Sequence, residues 1–211
     1  MFALRGGLYR AANLDALEWL DHGFGTMARD RWVPDDEAAT LRQIHSDVCW
    51  RADARGLLGE GDALYTAEPG AWLVIRTADC VPVILADRRH RAVAVVHAGW
   101  RGTVGGVVER ALERLAAEYA TAAADVVAAI GPAIQRCCFE VGPEVAERFG
   151  MSGRVRVDLT GEIERRLAGS GVGDVASLGA CTKCSAEFHS FRRDGERSGR
   201  MQTGVRIIGN G

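Results

Sequence analysis

A short apolar run that ends in a histidine constrains this chain more than any other feature. Residues 92–97 are small or β-branched and carry no charge before His97, which is typical of a strand buried on both faces. Gly99 and Gly102 then punctuate a turn that carries Arg101 and leads into a helical pattern. Since the end of a buried strand holds a side chain rigidly beside an open loop, His97 is a candidate site residue. A lone histidine at a strand end is more often structural, so the interpretation depends on other segments.

The pattern around this run predicts a mixed α/β (α+β) fold. Apolar segments of strand length recur along the chain, and the charged segment Asp87–Arg91 separates two of them as a hairpin turn with His90 exposed. Because strands outnumber helices, we expect mixed, partly antiparallel sheets flanked by helices, in a single domain over residues 1–211. Strands are predicted near 43–50, 63–67, 72–77, 82–87, 92–97, 126–130, 155–159, 175–178 and 200–208, and helices at 12–22, 35–41, 105–124, 143–149 and 161–167.

Composition excludes several classes of protein. The 211 residues are 47% hydrophobic and carry a formal net charge of −2, so the basic footprint of a nucleic-acid-binding protein is missing. We find no signal-peptide pattern and no apolar run of membrane-spanning length, and therefore expect a cytoplasmic protein without membrane or nucleic-acid partners.

Six cysteines are expected to be thiols, because nothing in the sequence indicates an oxidising compartment. The segment Cys181-Thr-Lys-Cys184 has the spacing of a zinc knuckle or a redox motif. A structural zinc site needs a second pair of ligands, and the adjacent Cys137 and Cys138 form a pair that chelates poorly. We therefore expect these cysteines to serve in packing.

Three residues form the best candidate metal site. His45, Cys80 and His97 each follow or end a strand-like run, so they can meet at one sheet edge. Two imidazoles and a thiolate suit Zn²⁺ with a fourth position open, the arrangement of catalytic zinc, which acidifies a bound water to a pKa of about 7. Copper (Cu²⁺) is the alternative, although no methionine lies in these motifs as an axial ligand.

The turn after His97 is a candidate anion site. Arg101, Gly102 and Thr103 combine a guanidinium group with backbone amides at a helix start, which together suit phosphate. Arg101 could equally pair with a carboxylate.

Linked motifs across the chain resemble one family. The resemblance extends from His22-Gly-Phe24 to the last strand, and the chain is identified as a member of the YfiH/YlmD family, formerly labelled multicopper polyphenol oxidase or laccase domain. The motifs are Gln43-Ile-His45, Thr77-Ala-Asp-Cys-Val-Pro-Val83, His97-Ala-Gly-Trp-Arg-Gly-Thr103, Ile130-Gly-Pro-Ala-Ile134, Cys138-Phe-Glu-Val-Gly142, Phe191-Arg-Arg-Asp-Gly195 and Gly199-Arg200.

The resemblance implies a YfiH-like (cysteine hydrolase) fold and an enzyme acting on purine nucleosides. The implied reactions are phosphorolysis of adenosine, inosine, guanosine and S-methyl-5′-thioadenosine to base and sugar 1-phosphate, with adenosine deamination as well. It also implies His45, Cys80 and His97 as metal ligands. The partners are then a nucleoside and phosphate, in a monomer or a homodimer.

The remaining roles are hypotheses. Phosphate would be held by Arg101 and by Arg192 or Arg193, which supply a positive field. Asp79 or Asp62 would shuttle protons or orient a ligand side chain, and we favour the orienting role for Asp79.

A count of histidines argues against the older laccase label. Multicopper oxidation needs several coppers and about ten histidine ligands, whereas the chain has five histidines in all. Two alternative activities stay open by resemblance, an amidase that edits peptidoglycan precursors and weak copper-dependent oxidation of phenols. The chain also departs from the family pattern: segment 25–42 is short, Met27 replaces an arginine, and His189 and Phe191 occupy positions usually held by an aromatic residue and a tyrosine.

Overall fold

The computed structural model describes residues 1–209, which form two large β-sheets with helices around them. The strands are β1 (Phe2–Arg5), β2 (Leu8–Ala11), β3 (Leu20–Gly25), β4 (Ala38–Arg42), β5 (Cys49–Arg51), β6 (Gly56–Glu60), β7 (Ala63–Thr66), β8 (Trp72–Thr77), β9 (Val81–Asp87), β10 (Val93–Ala98), β11 (Val126–Ile130), β12 (Glu140–Val141), β13 (Val155–Arg156), β14 (Asp174–Ser177) and β15 (Met201–Ile207). The helices are α1 (Ala12–Asp15), α2 (Trp100–Gly105), α3 (Val107–Tyr119), α4 (Pro143–Ala146), α5 (Leu159–Gly169) and α6 (Phe191–Asp194).

The two large sheets mix parallel and antiparallel pairs. The first has the order β1-β2-β3-β15-β8-β4-β6 and the second the order β14-β11-β9-β10-β7-β5, while β12 and β13 pair separately. Strand β4 runs parallel to β6 and β8, whereas β9 and β10 form the predicted antiparallel hairpin, with His90 exposed in its turn. The mixed α/β class predicted from the sequence is confirmed.

The second sheet is covered on both faces, which explains its long apolar runs. Along β9, Val83 and Leu85 pack in the cluster that includes α3 and α5, while Ile84 and Ala86 pack against the first sheet. Successive side chains of a strand point to opposite faces, so both faces must be apolar when both are covered. All seven residues of β9 are buried.

Helix α3 covers the second sheet as its sequence pattern predicts. Its apolar side chains Val108, Ala111, Leu112 and Leu115 are buried at helical spacing. The helix begins after Gly106, whose φ of 86° lies in the left-handed region that favours glycine. Among the helices of residues 1–209, none is long and apolar enough to cross a membrane.

Four predicted elements differ in the structure. The predicted helix 12–22 is the short α1 followed by β3, and the predicted helix 35–41 is one 3-10 turn (Asp35–Glu37) followed by β4. The predicted strand 43–50 is mostly loop and contributes only the start of β5. Pairing decided these outcomes, since β3 hydrogen-bonds to β15 and β4 lies between β8 and β6. The predicted strand 155–159 is only the short β13, and its last residue begins α5. Strands β1, β2, β6 and β12 and helices α2 and α6 were not predicted.

One buried histidine lies away from the candidate metal site. His22 in β3 is fully buried, and its Nε2 accepts a hydrogen bond of 2.9 Å from the backbone N–H of Ala11. Burial lowers the pKa of His22 to about 4, and the nearby Arg10 guanidinium acts in the same direction, against the carboxylates of Asp15 and Asp21. This side chain is therefore held neutral in the core.

Candidate active site

The strand register brings two of the three predicted ligands together. His97 pairs with Pro82 and Ala98 pairs with Val81, so Cys80, directly before β9, lies beside the end of β10. His45 approaches from the loop after β4. The candidate ligand atoms of these three side chains, two imidazole nitrogens and one sulfur, all lie within 4.8 Å of one another.

Asp62 shapes the loop that presents His45. Its carboxylate is fully buried and accepts hydrogen bonds from the backbone N–H groups of Ile44, His45 and Ser46, at 3.3, 3.0 and 2.6 Å. The Ser46 hydroxyl donates a further bond of 2.7 Å. These donors stabilise a buried charge and hold His45 at a φ of 61°, a left-handed conformation uncommon for residues other than glycine.

Asp62 also orients His97. One carboxylate oxygen lies 2.7 Å from Nδ1 of His97, which leaves Nε2 as the nitrogen free for a ligand. The antiparallel pairing of β7 with β10 makes this contact, because Asp62 directly precedes β7 and its carbonyl accepts the His97 N–H at 2.7 Å. Hydrogen bonds from His97 and Ser46 lower the pKa of the Asp62 carboxyl despite its burial.

The three clustered side chains favour a thiolate beside charged imidazole. Burial alone would raise the pKa of Cys80, but hydrogen bonds and charge from His45 and His97 lower it to about 6. Burial would likewise lower the pKa of His97, yet Asp62 and Cys80 raise it to about 9. A thiolate is the form of cysteine that binds metals.

Gly99 makes the close approach of these side chains possible. A Cβ atom there would lie 2.7 Å from Cδ2 of His45 and 3.1 Å from Sγ of Cys80. Its backbone is in an ordinary extended conformation, with φ −73° and ψ 169°. The glycine is therefore required for space rather than for backbone freedom.

The cluster lies at the wall of a cavity of about 540 Å³. The cavity has a cationic part, an aromatic part and one carboxylate besides the three clustered residues. These parts are formed by Arg76, Arg192 and Arg200, by Trp100, Phe139 and Phe191, and by Asp79.

The predicted anion site at residues 101–103 does not face this cavity. Arg101 is exposed and lies over the Trp100 ring, with its Cζ 4.4 Å from the ring centroid. Gly102 and Thr103 are buried, and a Cβ on Gly102 would lie 2.9 Å from the carbonyl oxygen of Ser46. Gly102 thus packs α2 against the His45 loop, and the phosphate site at residues 101–103 stays a prediction.

The two consecutive arginines of α6 have different surroundings. Arg192 lines the cavity, donates from Nη1 to the carbonyl of Glu140 at 2.8 Å and lies over the Phe139 ring. The guanidinium of Arg193 instead donates to backbone carbonyls of the loop 182–188 and to Asp194. Arg193 is therefore a structural residue, and its predicted phosphate contact is corrected.

Asp79 lines the cavity. Among the hydrogen bonds of residues 1–209, none joins its carboxylate to His45, Cys80 or His97. Its carboxylate accepts from the hydroxyl of Thr182 at 2.6 Å and from the N–H of Arg192 at 2.7 Å. The favoured orienting role belongs by geometry to Asp62, and Asp79 holds the α6 segment against the cavity.

Sequence reasoning missed two cavity cations. Arg76 is the one exposed side chain of the otherwise buried β8, and this break in an apolar run was an available signal. Arg200 stood in a motif and was not assigned a role. Of the residues that depart from the family pattern, Met27 is exposed, His189 contacts Asp30 at 3.0 Å, and Phe191 lines the cavity.

A family model described as multi-copper polyphenol oxidoreductase laccase matches residues 14–208. The chain belongs to this laccase family. A family relative from Clostridium acetobutylicum, named a purine nucleoside phosphorylase, is 35% identical, with 81% of this chain and 77% of the relative covered. A protein of an unknown prokaryotic organism named adenosine deaminase RL5 is 36% identical, with 90% and 82% covered.

A solved structure agrees with the laccase-family fold. The protein YfiH from Bacillus licheniformis superimposes with a TM-score of 0.89 over 98% of both chains, at 23% identity. This likeness concerns the fold, and the predicted YfiH-like architecture is confirmed.

Proposed function

We propose that this protein is a zinc-dependent purine nucleoside enzyme. It converts adenosine, inosine, guanosine and S-methyl-5′-thioadenosine with phosphate to the free base and the sugar 1-phosphate, and it deaminates adenosine. The names of two relatives, a purine nucleoside phosphorylase and an adenosine deaminase, support this class of reaction.

The observation that carries the proposal is the joint position of the cluster, the cations and the aromatic rings around one cavity. Its volume of about 540 Å³ is in the range of small-molecule sites. Aromatic faces suit a purine ring, and the guanidinium groups of Arg76, Arg192 and Arg200 suit a phosphate.

The donor set fits zinc. Two imidazoles and one thiolate are ligands of catalytic zinc sites, and the Asp62 carboxylate on Nδ1 of His97 is the outer contact that such ligands need. His45, Cys80 and His97 would hold the ion, with Gly99 leaving the space for them to approach. Zinc supplies a Lewis acid at this position when bound.

The chain's own residues supply positioning and charge. Phosphorolysis forms a bond between a phosphate oxygen and C1′ of the sugar while the bond from C1′ to the purine nitrogen breaks. The three cavity arginines hold the phosphate dianion through the guanidinium nitrogens that other groups leave open. Arg76 pairs with Asp35 through Nη2 at 3.1 Å, and Arg192 and Arg200 each donate to backbone carbonyls through Nη1. The proton of the attacking hydrogen phosphate ends on the purine nitrogen that leaves C1′, and Asp79, fixed by Thr182 and Arg192, is the cavity carboxylate placed to carry it there.

The distribution of histidines disfavours multicopper oxidation. His22 is buried beside Ala11, His90 contacts Asp87 in the hairpin turn, and His189 contacts Asp30. Only His45 and His97 among the five lie at the cluster. One mononuclear site is therefore what the histidines can support.

The test is to incubate metal-loaded protein with adenosine, with and without phosphate. We expect adenine and ribose 1-phosphate when phosphate is present, and inosine in both conditions. Cys80→Ala should abolish both products, whereas Cys49→Ser, which changes a half-buried thiol outside the cavity, should leave them unchanged. The proposal fails if adenosine, inosine and S-methyl-5′-thioadenosine all stay intact. Parallel assays of phenol oxidation and of amide hydrolysis identify the alternative activities.

A further inference from the structure

Four cysteines from two separate loops meet at one point outside the cavity. Cys137 and Cys138 lie in the loop that follows β11, and Cys181 and Cys184 lie in the loop that follows β14. Their four sulfur atoms all lie within 4.8 Å of one another. Cys137 and Cys184 are exposed, so the expectation that these thiols serve in packing is wrong for at least two of them.

Two of three distances between the sulfurs match a tetrahedral metal site, and the third is shorter. With a zinc–sulfur bond of about 2.3 Å, the sulfurs of a tetrahedral site are about 3.8 Å apart. Sγ of Cys137 lies 3.7 Å from Sγ of both Cys138 and Cys184, and Sγ of Cys138 lies 3.3 Å from Sγ of Cys184. The adjacent pair can thus direct both sulfurs toward one ion, an arrangement that the sequence pattern alone argued against.

The backbone already holds these loops together. Ala133 and Cys181 form a β-bridge, and the Thr182 N–H donates to the carbonyl of Ala133 at 3.1 Å. A fixed backbone removes much of the entropic cost of ordering four ligands.

Charge near the cluster is also favourable. Four thiolates around one Zn²⁺ leave a net charge of −2, and Arg136 and Lys183 stand next to ligands in the sequence. We propose that Cys137, Cys138, Cys181 and Cys184 bind a structural Zn²⁺ ion, distinct from any metal at His45, Cys80 and His97.

The proposed ion ties together two walls of the cavity. The loop with Cys137 and Cys138 also carries Ile134 and Phe139, and the loop with Cys181 and Cys184 leads to Phe191 and Arg192 in α6. Four thiolates fill the coordination shell and leave no position for a substrate, which is the character of a structural site.

Zinc stoichiometry tests the proposal directly. Protein purified with Zn²⁺ and desalted is analysed by mass spectrometry of the metal and by a chromophoric chelator. We expect two zinc ions per chain in the wild type and in Cys49→Ser, and one in Cys184→Ser. Cys80→Ser should also hold one ion, because it loses only the site in the cavity. Each variant therefore reports the loss of one site. Unchanged zinc content in Cys184→Ser overturns the proposal.

Two measurements cover the case in which a variant fails to fold. In native Cys80→Ser protein, whose cavity site has no thiol, thiol titration should detect about four more reactive cysteines after chelator treatment under reducing conditions, which are the four proposed ligands. In Cys80→Ser loaded with Co²⁺, the thiolate-to-cobalt charge-transfer band should have the intensity of four sulfur ligands. An equal thiol count before and after chelation, or a mass loss that indicates a disulfide within the cluster of the purified protein, contradicts the zinc site.

Discussion

Gly99 leaves no room for a methyl group, and the structure allows the effect of adding one to be estimated. Non-bonded carbon atoms in contact are about 3.5 Å apart, whereas a Cβ at residue 99 would lie 2.7 Å from Cδ2 of His45. The His45 ring in Gly99→Ala must therefore retreat by about 0.8 Å, several times the ~0.2 Å that a metal–ligand distance tolerates. The Cys80 sulfur, 3.1 Å from the same Cβ, is displaced as well.

We expect Gly99→Ala to bind zinc at least ~10-fold more weakly at this site, the range for misoriented ligands, and to lose nucleoside turnover in proportion. Stability should change little, because φ −73° and ψ 169° at Gly99 suit alanine. The assay is competition for Zn²⁺ against a chromophoric chelator, done in Cys184→Ser so that only the cavity site is titrated.

Gly173→Ala is the matched control, because a Cβ at Gly173 meets no atom within 4 Å. A folded Gly99→Ala protein that binds zinc as tightly as this control would refute the reasoning.

Three further predictions concern stability. His22 is neutral when folded, with a pKa of about 4 against 6.5 when unfolded, so the unfolded chain binds more protons between these values. The free energy of unfolding should therefore fall by up to about 3 kcal/mol as the pH drops from 6.5 to 4; urea titrations of wild type and His22→Gln check this, and equal pH slopes would contradict it. Arg193→Ala should cost about 2 kcal/mol and lower the thermal midpoint, because it frees backbone carbonyls of Thr182, Ser185 and Phe188, two of them partly buried. Replacing the exposed Arg101 by alanine should not lower the thermal midpoint, and equal midpoints for the two variants would remove the structural role of Arg193. Ile84→Ala should cost about 2–5 kcal/mol in urea denaturation, against about 0.5 kcal/mol or less for Leu57→Ala, whose side chain is 69% exposed; similar losses would argue against the core between the sheets.

The central strands were predictable because strands that are buried on both faces consist almost entirely of apolar residues. Strands β8 and β11 have the bounds that the apolar runs predicted. The predictions for segments 12–22 and 35–41 failed because they used local helix signals, such as the acidic residues after Pro34. The conformation of these segments is decided by partners far along the chain, β15 for β3 and β8 for β4.

The identity of the three candidate metal ligands could be predicted from the sequence, whereas the contacts around them could not. His45, Cys80 and His97 stand in motifs at strand ends, so their chemistry could be weighed from the sequence. The contacts of Asp62 depend on the register of β7 with β10 and on a loop conformation at His45 that no local pattern specifies. The same limit hid the four-cysteine cluster, whose two halves lie more than 40 residues apart and meet through a β-bridge.

The hairpin of β9 and β10 has a consequence for how this protein can vary. A slip of two residues between these strands would keep every side chain on its own face, yet it would move Cys80 about 7 Å along from His97. Packing alone does not forbid that slip. The turn at the other end of the hairpin does, with Asp87 accepting from the N–H groups of Arg89 and His90 at 2.7 and 3.0 Å. Changes in the length of this remote surface turn, about 20 Å from the cavity by strand rise, should therefore be tolerated less than changes in other exposed loops.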